Sequence, residues 1–178
     1  MKPIGLKAAR EFKRTENREA GTMITFTVAA AQAVAAHAES TYPDECVGLL
    51  LGRIEGTHKL VLETHPVENR WQGQVALAES DNAESRRDRF YLDPRDYLRA
   101  DRAARERDLD VVGCYHSHPD HPAEPSGRDL VGAQGVGGGP AFAFVIQQVT
   151  RGQAADLASW LLLDEGKRFE QEQIEITD

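Results

Sequence analysis

The tightest constraint on this chain is the stretch Leu109-Asp110-Val111-Val112-Gly113-Cys114-Tyr115-His116-Ser117-His118-Pro119, an apolar run that ends on two histidines and a proline. Its first half reads as a buried strand. Side chains at i and i+2 of a strand leave the same face, about 6.6 Å apart. His116 and His118 therefore project together, and their imidazoles can converge on one cation. Pro119 stops the strand because it cannot donate to a ladder. After a short loop, Pro125-Ser126 restarts the chain, with Ser126 as the N-cap of a helix that runs through Asp129 to about Gln134. Asp129 falls in the first turn of that helix. Two neutral nitrogens and one carboxylate fill three corners of a tetrahedral zinc and leave the fourth to water, the layout of a catalytic site. Each piece alone also has a purely structural reading. His-x-His is common on strands, and Ser-x-x-Asp is a capping box with Asp129 in the place of the usual glutamate.

The order of the pieces is more specific than any one of them. His116-Ser117-His118-Pro119, six residues, Ser126, two residues and Asp129 resemble the JAMM signature of the MPN-domain zinc metallopeptidases. Tyr42-Pro43-Asp44-Glu45-Cys46-Val47-Gly48-Leu49-Leu50-Leu51-Gly52 is similar to that family's glutamate-bearing segment. The resemblance covers residues 26 to 176 and is best to the compact prokaryotic branch that acts on ubiquitin-like and sulfur-carrier proteins. It implies an α/β fold, a single MPN domain (cytidine-deaminase-like) whose mixed, mostly antiparallel sheet is flanked by helices. It implies a Zn2+ cofactor on His116, His118 and Asp129, with Glu45 as general base and Ser126 as oxyanion donor. The reaction it implies is hydrolysis of the amide bond after the C-terminal tail of a ubiquitin-like or sulfur-carrier protein. Two rivals share parts of the pattern: a non-catalytic MPN scaffold and a RadC-like DNA-associated protein. A scaffold would be expected to lack ligands, and here the set is complete. No long insertion separates Asp129 from Ala141, unlike the larger eukaryotic chain-specific deubiquitinases, so polyubiquitin linkage selectivity has no support.

Charge weighs against the DNA-associated rival. The 178 residues carry a net −8, and phosphate binding needs a basic face. Residues 1–22 are the exception, with a net +3 that leaves −11 for the remainder. They read as a flexible basic extension preceding one domain over residues 23–178, and Met23 offers an alternative start. A secretory reading of the alanine-rich run from Met23 to Ala36 is weakened by Gln32 and its late position. No run reaches the roughly 20 apolar residues of a membrane span. Cys46 and Cys114 lack CxxC spacing and read as buried free thiols of a reducing, cytoplasmic compartment.

The remaining elements follow from periodicity. A first helix is expected over Thr27 to Ser40, with Val28, Ala31, Val34, Ala35 and Ala38 as its small-residue stripe. Glu45 to Leu51 reads as a core strand, Gly52 to Gly56 as a turn, and His58 to Glu63 as the hairpin partner. Val67 to Arg89 loses periodicity and reads as a long loop with a short strand at Gln74 to Leu77; the resemblance implies that it helps to hold the substrate tail. Phe90 to Leu92 is expected to add a short strand before a helix opened by Asp93-Pro94. The Gly-rich stretch Gly132 to Pro140 lacks a phosphate-loop lysine. Strands are expected at Ala141 to Val149, Ala158 to Leu163 and Arg168 to Ile176. His121 is placed at the cleft rim, and His37, His58 and His65 on the surface or in packing. The apolar helix faces allow a homodimer.

Overall fold

The structure is a computed structural model that describes residues 21–74, 85–133 and 135–178. The N-terminal extension up to residue 20 and most of the short strand expected at Gln74 to Leu77 lie outside the described residues. Among the described residues the order is β1 (Met23–Thr27), α1 (Val28–Thr41), β2 (Val47–Glu55), β3 (His58–Val67), α2 (Pro94–Arg105), β4 (Asp110–Pro119), α3 (Gly127–Ala133), β5 (Ala143–Thr150), β6 (Gln153–Leu163) and β7 (Arg168–Thr177).

The strands form one sheet in the order β1-β3-β2-β4-β5-β6-β7, closed where β1 also pairs with β7. Pairing is antiparallel between β2 and β3, β2 and β4, β5 and β6, and β6 and β7. It is parallel between β1 and β3, β1 and β7, and β4 and β5. The sheet is thus mixed as expected, but antiparallel ladders lead by only one. The expected flanking of the sheet by helices also needs correction. The closed sheet curls around α1, which touches β1 and β3 through β7, while α2 packs outside on β2 and β4.

Two apolar cores result. Ala30, Val34 and Ala38 of α1 meet Ile24, Phe26, Leu50, Val61, Val112, Tyr115 and Val145 inside the curl. Small side chains at helical spacing let the helix approach the strands closely. The buried stripe of α1 is centred on Ala30, Val34 and Ala38 rather than on Val28. Outside, Ala100 and Ala104 of α2 cover Val47, Leu49, Leu51, Cys114 and Phe144. Among the described residues no helix is long and apolar enough to cross a membrane.

Three local expectations differ from the structure. Met23–Thr27, at the head of the alanine-rich run, form an additional strand, β1, and both of its ladders are long-range in sequence. β2 runs through Gly52 to Glu55 instead of turning there. Gly52 sits at a bulge, where a Cβ would lie 1.7 Å from the Leu60 carbonyl oxygen; glycine serves close backbone approach here, not a turn. Phe90 to Leu92 is not a strand. Its backbone is held by Asn69 and Arg70 instead, with Tyr91 N–H donating to Asn69 Oδ1 and Arg70 N–H to the Tyr91 carbonyl.

Candidate metal centre

The position of the two histidines depends on a one-residue bulge in β4. Leu50 pairs with Gly113 but Leu51 with Val111, so Val112 is left over. Without it, strict alternation would turn His116 toward α1. With it, Val112 and Tyr115 enter the inner core while Val111 and Cys114 join the outer one. His116 and His118 follow Cys114 onto the outer face. Gly113 makes the bulge possible: a Cβ there would meet the Ala143 carbonyl oxygen at 2.4 Å.

The register of β2 brings in Glu45. Val47 pairs with His116, and the next pair is locked from both sides. Cys46 N–H donates to Ser117 Oγ at 2.8 Å, and Ser117 N–H donates to the Cys46 carbonyl at 3.2 Å. One residue further, Glu45 falls opposite His118, on the face shared with Val47 and Leu49. Its N–H donates to the Arg86 carbonyl at 2.7 Å, and its carbonyl accepts from Asn69 Nδ2 at 2.9 Å. Glu45 is only 5% exposed, and its Oε2 has no hydrogen-bond partner.

Asp129 completes the cluster from the first turn of α3. His116 Nε2 and His118 Nε2 lie 3.0 Å apart, His116 Nε2 is 3.2 Å from Asp129 Oδ1, and His118 Nε2 is 3.4 Å from Asp129 Oδ2. All three residues are buried, and together they could hold a metal ion. The capping reading of the Ser-x-x-Asp spacing holds as well: Ser126 N–H donates to Asp129 Oδ2 at 2.6 Å, and Asp129 N–H donates to Ser126 Oγ at 3.2 Å. The cap and the cluster use the same carboxylate, so one orients it for the other.

Ring orientation is fixed from outside the cluster. His118 Nδ1 bonds the Pro122 carbonyl at 2.7 Å as donor, leaving Nε2 with its lone pair. Phe90 stacks on His116 with ring centroids 4.3 Å apart. Burial lowers the pKa of His116, against the pull of Asp129. Burial also acts downward on His118, but its bond to Asp129, that group's charge and the Pro122 carbonyl outweigh it and raise the value. Burial acts upward on Asp129, and the two imidazoles overcome it and hold its carboxyl far below the usual range. The Glu45 carboxyl goes the other way, pushed well up by burial and then by the charges of Asp129 and Asp88. Two carboxyl groups in one cleft are thereby driven apart in acidity.

Glu45, His118 and Ser126 line one open cleft with Asp88, His121, Glu124 and Arg128. His121 stands at its rim, as expected. His37 bonds Tyr115 and His58 bonds Thr25, both away from the cluster.

A family model described as prokaryotic homologs of the JAB domain matches residues 27–163. The chain belongs to the prokaryotic JAB-domain family. A curated relative, the desampylase of Pyrococcus furiosus, is 27% identical over 116 residues, which span 65% of this chain and 68% of the relative. Among solved structures, a protein of Desulfitobacterium hafniense is similar with a TM-score of 0.68 and 27% identity, covering 88% of this chain and 94% of its own. A Salinibacter ruber protein gives 0.57 at 33% identity, with 85% and 91% coverage. A JAB1/MPN domain protein of Archaeoglobus fulgidus gives 0.52 at 16% identity, covering 88% of this chain and all of its own, and speaks for the JAB fold alone.

Spacing in the sequence offers His116, His118 and Asp129 as ligands and Ser126 as a helix cap, while the roles of Ser126 as donor and Glu45 as base come from the resemblance. The sequence misses the supports. Ser117, read only as the residue between two histidines, locks the register that carries Glu45. Asn69 falls in a stretch without periodicity and Phe90 in an expected strand that does not form, so neither the buried hub nor the stacking ring is marked by a residue pattern.

Proposed function

We propose that this chain is a zinc-dependent peptidase or isopeptidase that hydrolyses the amide bond after the C-terminal tail of a ubiquitin-like or sulfur-carrier protein. The observation that carries this reading is Glu45 Oε2, a buried carboxylate oxygen with no hydrogen-bond partner in the fold, on a residue that lines the same cleft as His118 of the His-His-Asp cluster. Burying such a group unpaired is costly. A hydrolytic cleft supplies its partner, the water that it deprotonates. The family match and the similarity to a protein named desampylase support hydrolysis of a protein-modifier linkage.

His116 Nε2, His118 Nε2 and the Asp129 carboxylate would hold the zinc. The donor set fits: their 3.0 to 3.4 Å separations suit three bonds of about 2.0–2.2 Å to one tetrahedral ion. Zinc held there supplies Lewis acidity and lowers the pKa of a water to about 7. Glu45 accepts a proton from the attacking water at Oε2 and passes one to the leaving amine. Ser126 Oγ accepts from the Asp129 N–H, so its own O–H is free to donate to the substrate carbonyl oxygen as charge gathers there, worth about 3 kcal/mol in comparable sites. Cys46 and Cys114 take no part. Both are buried and free, with thiols pushed up to about 12 by burial, which suits them to packing and not to nucleophilic chemistry.

Metal analysis combined with cleavage of tail-fusion proteins tests the reading. About one zinc per chain is expected, and cleavage is lost on chelation and restored by zinc. Glu45→Gln is expected to keep the zinc and the melting temperature while losing turnover by about 100-fold or more. Protein purified without zinc, or undiminished cleavage by Glu45→Gln, overturns it.

A further inference from the structure

We propose that the cavity behind Asp129, lined by Trp71, Arg89, Phe90, Tyr91, Val131 and Gly132, is a separate side-chain site that takes an uncharged, apolar residue of the polypeptide being cleaved. The inference rests on the hydrolase reading only in naming the occupant as part of a substrate.

Position makes it part of the same cleft. Asp129, Asp88 and Arg128 also line this cavity, and Asp88 and Arg128 line the open cleft that contains Glu45, His118 and Ser126. Arg128 Nη1 donates to Asp88 Oδ2 at 2.5 Å, so one ion pair forms the partition between the two spaces. Asp88 belongs to the segment whose Arg86 carbonyl accepts from Glu45 N–H, and Arg128 sits beside Asp129 on α3. The partition therefore joins the bank that carries Glu45 to the bank that carries Asp129. A chain seated at Glu45 and the cluster has this cavity next to it.

Chemistry selects the occupant. The cavity measures about 190 Å³, the share of several waters at about 30 Å³ each. Trp71, Phe90 and Tyr91 give it aromatic walls, and the Arg89 guanidinium lies over the Trp71 ring at 5.7 Å. Its charges are already matched. Asp88 faces Arg128 and Arg89, and Asp129 faces the imidazoles. A charged side chain would enter without a counter-charge and lose its hydration, whereas an apolar one gains by leaving water. Gly132 is an exposed residue of the lining, and a Cβ there would meet nothing within 4 Å, so a side chain can be added at this position without displacing a neighbour.

Synthetic pentapeptides test this, built on a Gly/Ser tail with Leu, Phe, Gly or Asp placed at each position in turn. Their affinity is measured on zinc-loaded Glu45→Gln, and their cleavage on zinc-loaded wild type. At one position Leu or Phe is expected to bind at least about tenfold tighter than Gly, with Asp the weakest. Adding Gly132→Leu is expected to collapse that ratio to within about twofold, with Gly132→Ala intermediate. The alanine change, favoured at a helical position, carries the test should the leucine variant fail to fold. No preference at any position, no binding by any peptide, or a preference that survives both Gly132 variants overturns the inference. A binding preference without cleavage of any peptide defeats the hydrolase reading and leaves this site standing; cleavage without preference does the reverse.

Discussion

Asn69 holds four backbone groups with one amide. Its Nδ2 donates to the carbonyls of Glu45 and Arg89, both at 2.9 Å, and its Oδ1 accepts from the N–H groups of Trp71 and Tyr91, both at 3.1 Å. The residue is 8% exposed, so water has little access to replace these bonds. Truncation would strand polar groups in a dry site, each at roughly 1–3 kcal/mol, with partial relaxation. Asn69→Ala is therefore expected to lower unfolding free energy by about 2–4 kcal/mol, read by urea denaturation. Asn69→Asp should do no better, because it keeps the acceptor but turns a charge toward two carbonyls. A denaturation midpoint equal to wild type in Asn69→Ala would mean that the hub is dispensable. None of this is legible in the sequence. A single asparagine in an aperiodic stretch looks like turn chemistry, and only the fold reveals that the turn is buried beneath Glu45. The histidine pair is the opposite case, since its spacing alone puts both rings on one face once a strand is granted.

At the scale of elements, legibility follows how local the cause is. The start of α2 was readable because its signals adjoin: Asp93 caps by accepting from Arg95 N–H at 2.8 Å, and Pro94 opens the first turn. The β4 bulge was not readable, since Val112 is surplus only relative to β2. β1 escaped for a similar reason, its two parallel ladders joining residues far apart in sequence. Gly52 misled because one residue type serves both turns and bulges. Asp93 offers a test of how the cap works. The Arg95 side chain first, and then its backbone N–H, hold the Asp93 carboxyl well below the usual carboxylate range. A depressed folded pKa contributes stability above the unfolded value of about 3.9, and that contribution fades as pH falls toward the folded value. Asp93→Asn keeps a capping side chain but not the charge. Its melting temperature is expected below that of wild type at pH 7, with the gap closing on acidification through and below about pH 4. A gap that is constant with pH would assign the loss to geometry instead of charge.

For the whole molecule, closure of the sheet puts charge inside the curl. Lys59 on β3 lies beside Ile24 of β1, and Glu172 on β7 belongs to the same inner face. Lys59 Nζ is 2.9 Å from Glu172 Oε2 and donates to the Pro140 carbonyl at 2.7 Å, while Ser159 Oγ on β6 donates to Glu172 Oε1 at 2.7 Å. Both charged side chains are fully buried. Three strands and the loop before β5 thus meet around one ion pair where β1 closes the ring. Such a pair gains little over an apolar replacement because desolvation offsets attraction, yet removing one partner strands the other. Lys59→Met alone is expected to cost about 3–5 kcal/mol. Lys59→Met with Glu172→Leu should recover much of that loss, held back by the Ser159 hydroxyl and the Pro140 carbonyl that lose their partners. Urea denaturation of the two single variants and the double variant gives the coupling directly. A double variant no more stable than the worse single would show that the strands close around the charges themselves, and that the ion pair is a condition of the closed sheet and not an occupant of it.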